Sequence, residues 1–201
     1  MSSRPGVPVG VSADAAVTWP PRELIDSFLG NFDFSAVAED SSVTPQEARE
    51  FRSVLGRFAS GVTVVTAATG GGPVGMTCQS FSSVSLQPPL VMFVPAKTSR
   101  AWPAMRTAGH FTVNLLAAEQ EGLSNQFAAK GADKFARVSW VPSPSTGAPR
   151  LDGCLAWIDC TIHAVHEAGD HYLVLGRVQE LVPGPAEEPL LFYRSVYRRL
   201  D

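Results

Sequence analysis

Residues 61–94 read GVTVVTAATGGGPVGMTCQSFSSVSLQPPLVMFV, and this stretch decides the fold class. β-Branched residues crowd Val62–Thr66, where side chains stiff at the first torsion suit a pleated strand better than a helix. Gly70-Gly71-Gly72-Pro73 is a strong turn signal, and Gln87-Pro88-Pro89 is a second. Around them lie VGMTCQSFSSVSL and LVMFV, so three strands sit close together in sequence.

Outward from this stretch the pattern stays mainly β. On the N-terminal side, Thr44-Pro45-Gln46-Glu47 has the capping-box pattern with proline at the first helical position. A helix is predicted there, with Phe51, Val54, Leu55 and Phe58 on one face and Gly61 marking the change of period. On the C-terminal side, Ser99 can cap a short helix through RAWPAMRTAG, with Gly109 as its stop before the strand HFTVNLL. A second short helix covers EQEGLSNQFAAK, and the Pro- and Ser-rich run from Ser139 to Pro149 reads as a surface loop. LAWIDCTIHAV and HYLVLGRVQELV then flank Glu167-Ala168-Gly169-Asp170 as a long hairpin. Strands joined by hairpins, with few helices, predict an antiparallel barrel and not a doubly wound parallel sheet.

The chain has 201 residues, enough for one ordinary core. Sixteen basic against nineteen acidic residues give −3, which supplies no field for a polyanion and argues against nucleic acid. Charged residues are only 17% of the chain, below the usual share of about 25%, and such a surface suggests a partner subunit. Residues 1–50 hold three basic and eight acidic residues. Within them, residues 1–43 read as an N-terminal extension, a mobile Pro- and Gly-rich tail followed by a short docking helix in RELIDSFLGNF. The main domain is expected over 44–201. Cys78, Cys154 and Cys160 form no CxxC pair, which fits reduced thiols in a cytoplasm. No stretch approaches the roughly 18 apolar residues of a membrane span, and the N-terminus lacks a signal-like apolar run.

Gly75-Met76-Thr77-Cys78-Gln79-Ser80 and the serines after it form the densest polar cluster in an otherwise apolar run. Neutral donors and acceptors beside buried strands suit a planar heteroaromatic ligand with several carbonyls and ring nitrogens. A solvated edge strand with turn-capping hydroxyls would show the same composition.

The run GMTCQSFSSVSLQPPLVMF, with ASGVTVVT before it, KTSRAW and FTVNLL after it, and GDHYLVLGRV later, resembles the short-chain flavin reductases with a flavin-binding split barrel. The resemblance covers roughly residues 45–199. It implies a homodimer of split β-barrels that reduces FAD or FMN with NADH or NADPH and releases reduced flavin to a separate monooxygenase. Carried over residue by residue, it places Gly75, Met76, Thr77, Cys78, Gln79 and Ser80 along the flavin ring edge and ribityl chain. It places Val94, Pro95, Ala96, Lys97, Ser99 and Arg100 at the flavin phosphate region, with Phe127 close to the flavin. A helix start beside two cations would favour a phosphate there. Gly169, Asp170, His171 and Tyr172 match the motif that approaches the nicotinamide, and His171 takes the catalytic position.

One residue departs from the family pattern. Ser195 stands where many relatives have glycine after a Tyr-Arg pair, so a close backbone approach there is in question. No GxGxxG follows a strand, which argues against a Rossmann pocket for either nucleotide. His163 and His166, three apart on a predicted strand, are expected on opposite faces and away from any shared metal with His171. Two other readings compete: a non-catalytic flavin- or haem-binding module on the same barrel, and a pyridoxamine-phosphate-oxidase-like enzyme, for whose two phosphates only Arg100 and Arg106 offer charge.

Overall fold

The computed structural model describes residues 43–131 and 133–200. The expected N-terminal extension lies outside the described residues. Helix α1 (Pro45–Leu55) starts as its sequence predicts: Thr44 Oγ1 accepts from the Glu47 N–H at 3.2 Å, and Glu47 Oε2 accepts from the Thr44 N–H at 2.8 Å. Reciprocal bonds of this kind satisfy donors that a helix start leaves open. Phe51, Val54 and Leu55 share a side, yet no residue of the helix is buried.

The strands that follow are β1 (Ser60–Gly61), β2 (Thr63–Thr69), β3 (Gly72–Cys78), β4 (Ser82–Leu86), β5 (Pro89–Phe93), β6 (His110–Leu115), β7 (Trp140–Pro142), β8 (Pro149–Leu151), β9 (Ala156–Ala168), β10 (His171–Pro183), β11 (Leu191–Tyr193) and β12 (Val196–Arg198). Helix α2 (Trp102–Ala108) stands between β5 and β6, and α3 (Glu121–Ala128) follows β6. Seven strands pair antiparallel in the order β3-β2-β6-β9-β10-β5-β4. The edge strands β3 and β4 are consecutive in the chain, linked only by residues 79–81. A link that short reaches on the order of 14 Å, whereas a flat seven-stranded sheet would hold its edges about 29 Å apart. The sheet must therefore curl into a barrel that stays split between β3 and β4.

Curling explains why β2 is buried along most of its length and does not alternate. Val65 faces the barrel interior with Phe93, Phe111, Val113 and Val174, and Trp102 and Met105 of α2 pack into the same cluster. Val64 faces the other way, into a second cluster with Leu116, Phe127, Leu151 and Leu190. Gly176 is needed inside the barrel, since a Cβ there would lie 2.4 Å from the Phe111 ring.

Two sequence expectations change. The run from Ser139 to Pro149 is not simply a surface loop: β7 and β8 pair across it, and Ser143, Ala148 and Pro149 are buried. Its serines face a buried carboxylate, Asp159, which composition could not reveal. Asp159 is fully buried and accepts from Thr112, Ser143, Ser145 and Arg150. Glu180 pairs with the same guanidinium. These bonds outweigh the desolvation that burial imposes and hold the Asp159 carboxyl below its ordinary 3.8. Second, His163 and His166 are both exposed, because a bulge in the β9–β10 ladder skips His163 and resets the alternation.

At the departing glycine position, Arg194 and Ser195 form the two-residue turn between β11 and β12 with φ of 52° and 64°. Both are left-handed, as the tight hairpin turn requires, so a glycine there would relax the backbone itself. Ser195 is exposed.

Candidate functional site

Three chain segments meet where β3 ends. The first is the link Gln79-Ser80-Phe81, the second the loop 94–101 between β5 and α2, and the third the β9–β10 turn. Main-chain bonds join the second to the third: Lys97 N–H donates to the Asp170 carbonyl at 2.8 Å, and Tyr172 N–H to the Pro95 carbonyl at 2.9 Å, with Ala96 bridging His171. Ser80 joins the first to the second, since its Oγ accepts from the Val94 N–H at 3.1 Å and donates to the Val94 carbonyl at 3.2 Å. The phosphate loop and the nicotinamide motif that sequence kept 70 residues apart are thus neighbours. The turn has Gly169 at φ 60°, a left-handed position that favours glycine.

Several predicted site residues act on the protein itself. Thr77 Oγ1 donates to the Ser124 carbonyl of α3 at 2.6 Å, and Cys78 Sγ lies 3.1 Å from Ser80 Oγ. Ser99 Oγ accepts from the Trp102 N–H at 3.3 Å and sits 3.3 Å from Met76 Sδ, so it supports the start of α2 from three residues upstream. Phe127 requires a correction: its ring is fully buried against Gly75 and stacks edge-on with Phe135 at 5.0 Å, which leaves no side-chain surface for a ligand. Gly75 is the reason it fits, since a Cβ there would come within 2.6 Å of the ring.

Lys97 also differs from expectation. Its ammonium pairs with Glu167 at 2.8 Å and lies 5.6 Å from the Tyr172 ring centroid, so it faces the turn. The hydrogen bond from Lys97 holds the Glu167 carboxyl below its ordinary value. Tyr172 in turn stacks on the buried Trp102, centroids 5.9 Å apart. His171 Nδ1 lies 2.7 Å from Asp170 Oδ1, and this bond lowers the Asp170 carboxyl. The pairing fixes one ring nitrogen and leaves Nε2 without a partner among the described residues.

Uncommitted groups remain at the centre of the three segments. Among the described residues, the backbone N–H groups of Gln79, Ser80 and Phe81, the Gln79 amide and the Arg100 guanidinium make no hydrogen bond. All but Phe81, which is half-buried, are exposed residues. Lys134, Trp102 and Glu167 belong to this neighbourhood and were not singled out from sequence. Trp102 carried a signal in KTSRAW, whereas a lone lysine in a loop and a strand glutamate carry none. Among the described residues, no three His, Cys, Asp or Glu side chains are grouped to hold a metal ion.

Comparison with known proteins bears on this geometry. Residues 55–201 match the family model described as the flavin reductase like domain. The reductase subunit HsaB of a flavin-dependent monooxygenase from Rhodococcus jostii is 47% identical over 169 residues, 83% of this chain and 86% of that protein. The crystal structure of nitrilotriacetate monooxygenase component B from Mycobacterium thermoresistibile superposes with a TM-score of 0.75 at 47% identity, over 78% of this chain and 88% of the other. The Streptomyces globisporus NADH:FAD oxidoreductase SgcE6, solved with NAD and FAD fragments, gives 0.74 at 39% identity over 80% and 97%.

Proposed function

This chain belongs to the flavin reductase like family, and from that premise we propose that it is an NAD(P)H:flavin oxidoreductase supplying diffusible reduced FAD or FMN to a separate monooxygenase. The observation that carries the reading is the main-chain stitching of the loop 94–97 to the turn 169–172 beside the end of β3. That arrangement gives flavin and nicotinamide one shared cleft. The groups present fit such ligands: free N–H donors at residues 79–81 and the Gln79 amide suit a ring edge rich in acceptors, and the Arg100 charge suits a phosphate.

Bound together, the two ligands supply the chemistry themselves, a hydride passing from nicotinamide C4 to flavin N5 with a solvent proton completing the reduced flavin. The chain's residues orient and exclude. Residues 79–81 hold one ring through backbone donors, while His171, its Nδ1 fixed by Asp170, presents Nε2 to the nicotinamide nucleotide. Tyr172, backed by Trp102, gives that face a rigid wall. No general acid or base is required, consistent with a cluster of neutral side chains.

Three further assignments accompany this reading. A homodimer is supported by the apolar face of α1, where Phe51, Val54 and Leu55 and the following Phe58 are 55–82% exposed. A cytoplasmic setting is supported by three buried, unpaired cysteines, two of which burial pushes up to about 12. Residues 44–201 form the reductase domain and 1–43 its extension. The deciding experiment is anaerobic: protein with FMN or FAD, then NADH or NADPH, following loss of the oxidised flavin band. Bleaching far above the protein-free rate is expected. Bound flavin that no nicotinamide bleaches would replace the reductase with a binding module.

A further inference from the structure

Lys134 lies outside every motif that carries the family resemblance, yet its side chain reaches into the site. Its half-buried ammonium donates to the Phe127 carbonyl at 2.7 Å and to the Gly75 carbonyl at 3.3 Å. It thus bridges the end of α3 to β3, the strand that leads into the uncommitted donors at 79–81. Gln126 of α3 holds the loop in place, its amide donating to the Lys134 and Ala136 carbonyls at 2.9 and 3.0 Å. No carboxylate pairs with this ammonium among the described residues, and the neighbouring Asp133 accepts instead from the Phe135 N–H at 3.1 Å.

The second cation comes from the other side. Arg100 leaves the loop before α2 with its Nη1 4.0 Å from where a side chain at Gly131 would begin, over the same turn that carries Lys134. Arg100 makes no ion pair among the described residues. Burial and the Arg100 charge together lower the Lys134 ammonium's affinity for its proton. Two cations placed together without an anion are held against their mutual repulsion, and a bound anion is what relieves it. Lys97, by contrast, already has Glu167.

We propose that Lys134 and Arg100 form a two-cation subsite for the phosphate ester of the flavin, Arg100 as the planar fork and Lys134 as the fixed point charge. This rests on the flavin reductase reading. A phosphate on the nicotinamide nucleotide has the same chemistry, but Lys134 is anchored to β3 and α3, and the turn assigned to the nicotinamide already has Lys97 and Glu167.

The test compares FMN with riboflavin, which lacks the phosphate, by fluorescence titration of the full chain as wild type, Lys134→Met, Lys134→Arg and Arg100→Met. Wild type is expected to prefer FMN. Each methionine variant should weaken FMN about tenfold, the scale of one charge-assisted hydrogen bond, with riboflavin unchanged, and Lys134→Arg should recover most of the loss. Equal weakening of both flavins by Lys134→Met would make the lysine a structural strap and overturn the proposal. The exposed Arg100→Met variant decides the matter if Lys134→Met fails to fold. A KM that rises for NADPH and not NADH, with FMN affinity intact, would assign the phosphate to the nicotinamide nucleotide. Failure of the folded wild type to bind any flavin would instead sink the reductase reading, whereas equal affinity for FMN and riboflavin would sink only the subsite.

Discussion

Two clusters rich in serine and threonine stand in this molecule, and they are built to opposite ends. Around Asp159, each polar side chain from Thr112, Ser143, Ser145 and Arg150 has a partner inside the cluster. Around residues 79–81 and Arg100, donors face outward without one. Both would look alike in a composition plot. What separates scaffold from candidate site is whether the hydrogen bonds close on themselves, because a closed buried network rigidifies while an open one awaits a ligand.

The strongest way to break this contrast is Asp159→Ala. It leaves the Arg150 charge buried and uncompensated, and such losses cost about 3–5 kcal/mol. Denaturant unfolding should show that loss while flavin affinity of the folded fraction stays unchanged; a large effect on flavin with none on stability would reverse the assignment. Acid should act on the same group. The folded carboxyl lies below its ordinary 3.8, so its contribution is complete above that value and is lost as pH falls through the folded value. A midpoint in denaturant that declines below about pH 4, and declines less in Asp159→Asn, is the expected result.

In the open cluster the effect should move from stability to turnover. His171→Ala is expected to raise the nicotinamide KM, or slow hydride transfer, by about tenfold. Flavin binding and melting temperature should barely change, and collapse of flavin binding with unaltered nicotinamide kinetics would contradict the role given to His171. Ser80 sharpens the contrast, since it sits in the open region but its hydroxyl is fully engaged by Val94. Ser80→Ala should cost about 1 kcal/mol of stability. The smallest change is expected at Ser195→Gly, where relief of the left-handed backbone should add up to about 1 kcal/mol, seen as a small rise in unfolding midpoint at unaltered kcat.

Elements with local causes were legible in the sequence. The Thr44 capping box, the Gly109 stop and the hairpin around Gly169 all follow from residues within a few positions of one another. So did the motifs of the site, because the family resemblance orders them along the chain. Long-range pairing was not legible. Nothing near Ser143 announces Asp159, and nothing near Lys134 announces Gly75. Phe127 misled for the same reason, since helical spacing cannot say which side of α3 meets a glycine on β3.

The junction between residues 95–97 and 170–172 rests on peptide groups. Side chains at 96, 170 and 171 are therefore relieved of holding the junction together, and their identities can drift without unfolding it. A cleft hinged on such a seam lends itself to retuning: randomising Asp170 and His171 together should yield many folded variants with altered nucleotide preference. Lineages that exchange NADH for NADPH would have the same freedom, with the architecture inherited intact and only the recognition rewritten.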